Sequence, residues 1–148
     1  MGAITLDEIV VVPLRQIATE GGDVLHAMKS SDIGFSGYGE AYFSRVNSGA
    51  IKAWKRHSRM SMNLIVPVGT IKFVFHLETL TPNSSYRIEE IGEFNYARIM
   101  VPPGIIFGFQ GMDKSSSVLL NISDIEHDPN EVERFPIDAF NFRWNEKM

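Results

Sequence analysis

Apolar residues along this chain recur mostly at every second position, in short runs, and that period belongs to half-buried strands. Thr70 to Leu77 carries it most clearly, with Ile71, Phe73 and Phe75 on one face. Met62 to Val68 is apolar and β-branched throughout. Ile9 to Leu14, Glu40 to Val46, Ala50 to Arg56, Tyr96 to Val101, Ile105 to Phe109 and Ser117 to Ile122 read as further strands. Turn signals separate them at Asn47-Ser48-Gly49, Val68-Gly69-Thr70, Pro82-Asn83-Ser84 and Pro102-Pro103-Gly104. Strands at roughly ten-residue spacing predict an all-β sandwich or barrel. The best helical stretch, Asp23 to Ser30, is short and poorly patterned. The segment from Glu126 to Met148 is acidic and then aromatic (Phe135, Phe140, Phe142, Trp144), which suits packing on a sheet face.

Composition narrows this picture. The chain has 148 residues, 44% of them hydrophobic and 22% charged, which fits one globular domain with a real core. The expected organisation is a single domain over residues 1–148. Residues 1–36 form an N-terminal strand and loop arm, and residues 126–148 a tail packed on the barrel. A net charge of -4 argues against a nucleic-acid partner. The chain has no cysteine, so disulfides, thiolate metal sites and thiol catalysis are excluded. No apolar run approaches the roughly 18 residues of a membrane helix, so no membrane partner is expected. The N-terminus lacks a basic region and a long apolar segment, and Leu6 stands where a myristoylation motif needs Ser or Thr. The expected compartment is the cytoplasm.

Two stretches carry candidate chemistry. In the first, Gly49 is followed after five residues by Lys55-Arg56-His57, then Asn63, then Gly69. The second is Val101-Pro102-Pro103-Gly104-Ile105-Ile106-Phe107-Gly108-Phe109. Together they resemble the two motifs of the cupins, with the turn residues kept and only His57 left of the usual metal ligands. Lys55 is a cation, Asn63 a weak donor and Phe107 no donor, so no metal site is expected. Adding Gly39-Glu40-Ala41-Tyr42-Phe43-Ser44 and the closing Phe142-Arg143-Trp144, the chain is similar to the dTDP-4-dehydrorhamnose 3,5-epimerase family and its shorter deoxysugar-nucleotide relatives.

The resemblance implies a cupin-type β jelly roll and a homodimer. It implies an epimerase or isomerase that acts on a 4-keto-6-deoxy nucleotide sugar without metal or organic cofactor. In that chemistry a base removes the proton beside the ketone, and the enolate is reprotonated from the other face. Aligned on the family, Lys55 takes the place of its catalytic His, Phe107 that of a second His, and Leu120 that of its acid Tyr. His57 matches the second His of the related 3,4-ketoisomerases. His57 as base with Lys55 steadying the enolate, and Lys55 as base with its pKa lowered by burial, both fit. Lys52 matches a family arginine that holds substrate, and with Arg56 and Arg59 it makes a cluster suited to a pyrophosphate. Tyr42, Asn63 and Phe107 complete the expected substrate-binding set, with Tyr38 and Tyr96 as further proton-donor candidates. A catalytically silent cupin that binds a nucleotide sugar or a protein partner is the alternative. His76 reads as structural, His127-Asp128-Pro129 as a turn, and Ser115-Ser116-Ser117 as a loop.

Overall fold

The computed structural model describes residues 3–78 and 86–144. The turn at Pro82-Asn83-Ser84, Met1-Gly2 and residues 145–148 lie outside the described residues. In chain order the strands are β1 (Val10–Pro13), β2 (Gln16–Ile17), β3 (Val24–Leu25), β4 (Glu40–Val46), β5 (Ile51–His57) and β6 (Met62–Val68). They continue with β7 (Thr70–His76), β8 (Tyr86–Gly92), β9 (Ala97–Val101), β10 (Ile106–Gly111), β11 (Ser117–Ser123) and β12 (Val132–Arg134). One antiparallel sheet runs β1-β9-β6-β11-β4 and a second β12-β5-β10-β7-β8, giving a jelly roll of cupin type. Among the described residues helix is limited to two short 3-10 turns, Leu6–Glu8 and Ile137–Ala139. No helix among the described residues is long and apolar enough to cross a membrane.

The inward faces follow the period-two pattern. Met62, Leu64 and Val66 from one sheet meet Ile71, Phe73 and Phe75 from the other in the main core. Burying each such side chain contributes about 1.5–3 kcal/mol. Strand β7 is buried on both faces, because its outward residues Val74 and His76 are covered too. Trp54, Val74, Ile106 and Trp144 form a second core, with Phe135, Phe140 and Phe142 packed against it. Trp54 lies 5.1 Å from Trp144 and 5.7 Å from Phe140, and its indole N–H donates to the Ile137 carbonyl. The tail therefore seals the outer face of the second sheet. That leaves the inner face of β5 as the one open to chemistry.

Two glycines permit close approaches. Gly69 has φ +82°, and a Cβ there would collide with Ser117. A Cβ on Gly108 would sit 2.6 Å from the Ala53 Cβ and 3.1 Å from the Trp144 ring, so Gly108 lets β5 and the tail close over β10.

The helical reading of Asp23 to Ser30 does not hold. Val24–Leu25 instead pairs with Gln16–Ile17 as a small hairpin. Gly21 and Gly22 both take positive φ and turn the chain back, and no apolar stripe with helical period follows them.

Candidate active site

On a regular strand Lys55 and His57 share one face, and Lys52, at odd spacing, takes the other. The β5–β10 ladder changes this. Phe107 pairs with Lys55 and Gly108 with Ala53, so Trp54 is an extra residue in a bulge. Lys52, Lys55 and His57 then all line one cavity between the sheets, while Trp54 turns outward. The cavity holds about 120 Å³. Its apolar wall is made by core residues, among them Met60, Met62, Leu64 and Leu119. An adjoining cleft of about 430 Å³ shares Lys52, Lys55 and Arg134 and runs on to Phe135.

His57 is held by a carboxylate that the sequence reading did not find. Glu131, just before β12, is 3% exposed and accepts a hydrogen bond from His57 Nδ1 at 2.8 Å. Its other oxygen accepts the backbone N–H groups of Arg59 (2.9 Å) and Met60 (2.7 Å). Burial pushes the Glu131 carboxyl up, but these hydrogen bonds and the imidazole outweigh it, and the group ends below the usual carboxylate value. An ionised carboxylate only accepts, so Nδ1 carries the proton and the Nε2 lone pair is left for the cavity. The imidazole lies against the Phe107 ring, with centroids 6.0 Å apart and planes within 20°.

Three cations converge beside it. Arg134 is the cross-strand partner of Lys55 on β12, and Lys52 completes the group on the cavity wall. None of the three forms an ion pair among the described residues. Burial first, then the Arg134 and Lys52 charges, hold the Lys55 ammonium below the ordinary lysine value. Across the cavity, Tyr42 on β4 is half-buried, and its hydroxyl accepts a hydrogen bond from Asn121 on β11 at 3.2 Å. His127 also reaches the cavity edge.

The structure thus brings together His57, Lys55, Lys52, Tyr42 and Phe107. Three residues expected with them lie elsewhere. Arg56 falls between two inward residues of β5 and points out, paired with Glu133 at 3.0 Å and Glu78 at 3.3 Å. Arg59 is exposed and pairs with Asp128. Asn63 lies on the outer face of β6, where its amide donates to the Gly34 carbonyl and accepts from the fully buried Arg98. Parity explains Arg56 and Asn63, because alternate residues of a strand face opposite sides, whereas Arg59 lies in the turn between β5 and β6. The same parity corrects the Leu120 alignment: Leu119 and Asn121 reach the cavity and Leu120 does not. Tyr38 is exposed away from the cavity, and Tyr96 donates its hydroxyl to the His26 carbonyl. No group of three or more His, Asp or Glu side chains among the described residues could hold a metal ion.

No family model matches the chain, and no curated protein matches it significantly. Solved structures do. A dTDP-sugar isomerase from Desulfovibrio desulfuricans G20 is 36% identical, with 96% of this chain and 95% of that one covered and a TM-score of 0.88. A sugar 3,4-ketoisomerase from Thermoanaerobacterium thermosaccharolyticum, in complex with TDP, shares the fold at 17% identity. It covers 88% of this chain and 90% of that one, with a TM-score of 0.73. A dTDP-4-dehydrorhamnose 3,5-epimerase from Sulfolobus tokodaii shares the fold at 18% identity, covering 95% and 84% with a TM-score of 0.78. A jelly roll with its polar residues gathered at one cavity, and more than a third of its residues shared along nearly the whole of a solved relative, places the chain in the dTDP-sugar isomerase family.

Proposed function

We propose that this protein is a sugar-nucleotide epimerase or isomerase that moves a proton beside the ketone of a 4-keto-6-deoxy sugar carried on a nucleoside diphosphate. The observation that carries the reading is an imidazole fixed by a buried carboxylate, set beside three cations that have no counter-ion among the described residues. Cations gathered without an ion-pair partner repel one another until an anion arrives, and a diphosphate supplies one. The free Nε2 of His57 takes the carbon-bound proton. The electron pair moves onto the ketone oxygen, and Glu131 steadies the imidazolium that forms. Lys55, two residues away on the same wall, supplies positive charge to the developing enolate. The apolar wall around Met62 and Leu119 suits the methyl end of a 6-deoxy sugar. By resemblance, the working form is a homodimer.

The test is exchange in heavy water. Incubated with dTDP-, UDP- and GDP-linked 4-keto-6-deoxy sugars, the protein is expected to place deuterium beside the ketone of at least one, read by NMR. Absence of exchange with all three overturns the proposal. The cation group gives a second prediction. Arg134→Met removes a charge aimed at the diphosphate but leaves the dyad in place. It is expected to raise KM about tenfold, equivalent to about 1.4 kcal/mol, with kcat within a few-fold of wild type. The gap should narrow as salt screens the cluster. An unchanged KM would remove Arg134 from the substrate.

A further inference from the structure

The proposed chemistry concerns the ketone and the carbon beside it, but the rest of the sugar must be recognised too. Resting on that reading, we infer that Glu40 determines sugar specificity. Its carboxylate accepts hydrogen bonds from the ring hydroxyls on the second and third carbons, so sugars that keep those hydroxyls are selected over deoxygenated ones.

The strand that carries Glu40 is built differently from its neighbours. Period-two alternation makes the inward row of β4 Glu40, Tyr42, Ser44 and Val46. Val46 is fully buried in the core, whereas Glu40, Tyr42 and Ser44 all line the cavity. Other strands turn mainly apolar groups to the same space, among them Met62 and Leu64 from β6, Leu119 from β11 and Phe107 from β10. One wall is thus polar, and it is the edge strand of its sheet. A 6-deoxy sugar has the matching asymmetry. One long edge of its ring carries the hydroxyls on the second and third carbons, and the other carries the ring oxygen and the methyl group. With the methyl group on the apolar wall, the hydroxyl edge faces β4.

The cavity is also graded along its length. The turn between β4 and β5 brings Ser44 and Lys52 to one end. At the other end Glu40 pairs with Ser123, and Ser123 with Met62, the first residue of β6, which follows closely on His57. Four residues of strand, about 13 Å, separate Glu40 from Ser44. A diphosphate held by Lys52, Lys55 and Arg134 therefore leaves the ketone end of the sugar near His57 and Glu40.

Glu40 is half-buried, and among the described residues its carboxylate forms no ion pair and no hydrogen bond. Its charge nonetheless reaches the cavity. Burial raises the Tyr42 phenol first of all, the Asn121 bond lowers it, the Glu40 charge raises it further and the Arg134 charge lowers it. The phenol therefore feels both the carboxylate and the guanidinium. Two carboxylate oxygens match two adjacent hydroxyls, and hydrogen bonds to an ionised acceptor are about twice as strong as neutral ones. Asn121 cannot take this role, because its amide donates to Tyr42 and accepts from Ser123.

The test measures deuterium exchange by wild type and Glu40→Ala on three substrates: the nucleotide-linked 4-keto-6-deoxy sugar and its 2-deoxy and 3-deoxy analogues. The readout is the ratio of kcat/KM between parent and analogue within one protein, which does not depend on how much of a variant is folded. Differences in the intrinsic reactivity of an analogue cancel between the two proteins. For at least one analogue the ratio is expected to fall about thirtyfold in Glu40→Ala, through slower turnover of the parent. The analogue itself should exchange at nearly the wild-type rate, because it lacks the hydroxyl that Glu40 holds. If wild type exchanges no parent sugar, the functional reading itself has failed. Where wild type exchanges it, a ratio within about threefold of wild type for both analogues overturns the inference alone. A fall that comes from a faster analogue, with the parent unchanged, overturns it as well.

Discussion

His57→Gln is expected to slow deuterium entry beside the ketone about a thousandfold, in the middle of the range for a lost general base. Glutamine approximates the size of the imidazole and can keep a hydrogen bond to Glu131, but it offers no lone pair of comparable basicity to the cavity. The loss should fall on kcat, with KM within a few-fold, because the anion-binding charges of Lys52, Lys55 and Arg134 stay in place. The measurement is the exchange rate by NMR at several substrate concentrations, with a melting curve to show that the variant is folded. A rate within tenfold of wild type would remove His57 as the base. If Lys55→Met then collapsed exchange, the base would be Lys55, whose ammonium is already held below its usual value by burial and two neighbouring charges.

Much of this protein can be read from its letters, and the parts that cannot share a physical cause. Period-two runs such as Ile71, Phe73 and Phe75 face the core as written, and the turns at Gly49, Gly69 and Gly104 take the positive φ that their glycines allow. Lys55 and His57 were legible as a pair because strand parity is a local rule. Lys52 joins them only through the bulge at Trp54, which depends on how β10 registers against β5. Arg56 and Asn63 were misplaced by reading proximity along the chain as proximity in space; one residue of offset put each on the far face. Glu131 and Arg134 sat in the acidic stretch of a segment expected to pack on a sheet face, and neither was assigned to the site. Only the pairing of β12 with β5, more than seventy residues away, carries them to the site. The local hint was the order Glu131-Val132-Glu133-Arg134 after the Asp128-Pro129-Asn130 turn, with the alternation of a short strand.

Glu131→Gln should cost stability and activity at once, and the two can be separated by pH. The carboxylate is 3% exposed and accepts three hydrogen bonds, from His57, Arg59 and Met60. An amide cannot accept all three, and its NH2 faces donors. The expected loss is about 3 kcal/mol, a lowering of Tm by roughly 6–12 °C for a chain of this size. The sign of the pH effect follows from the pKa direction. The folded carboxyl lies below its ordinary value, so its contribution is complete above that value and is lost as pH falls through the folded one. The Tm gap between wild type and Glu131→Gln should therefore be constant near neutral pH and shrink under acid. A gap that persists undiminished well below pH 3 would mean that shape, and not the ionised carboxylate, does the holding. Activity reports the other half. Without an acceptor-only partner, Nδ1 no longer has to carry the proton, and Nε2 is free for catalysis only part of the time. Exchange should fall at every pH, including pH values and temperatures at which the variant is fully folded. A variant that is less stable yet exchanges at the wild-type rate would leave Glu131 a structural carboxylate and His57 a base that needs no orienting partner.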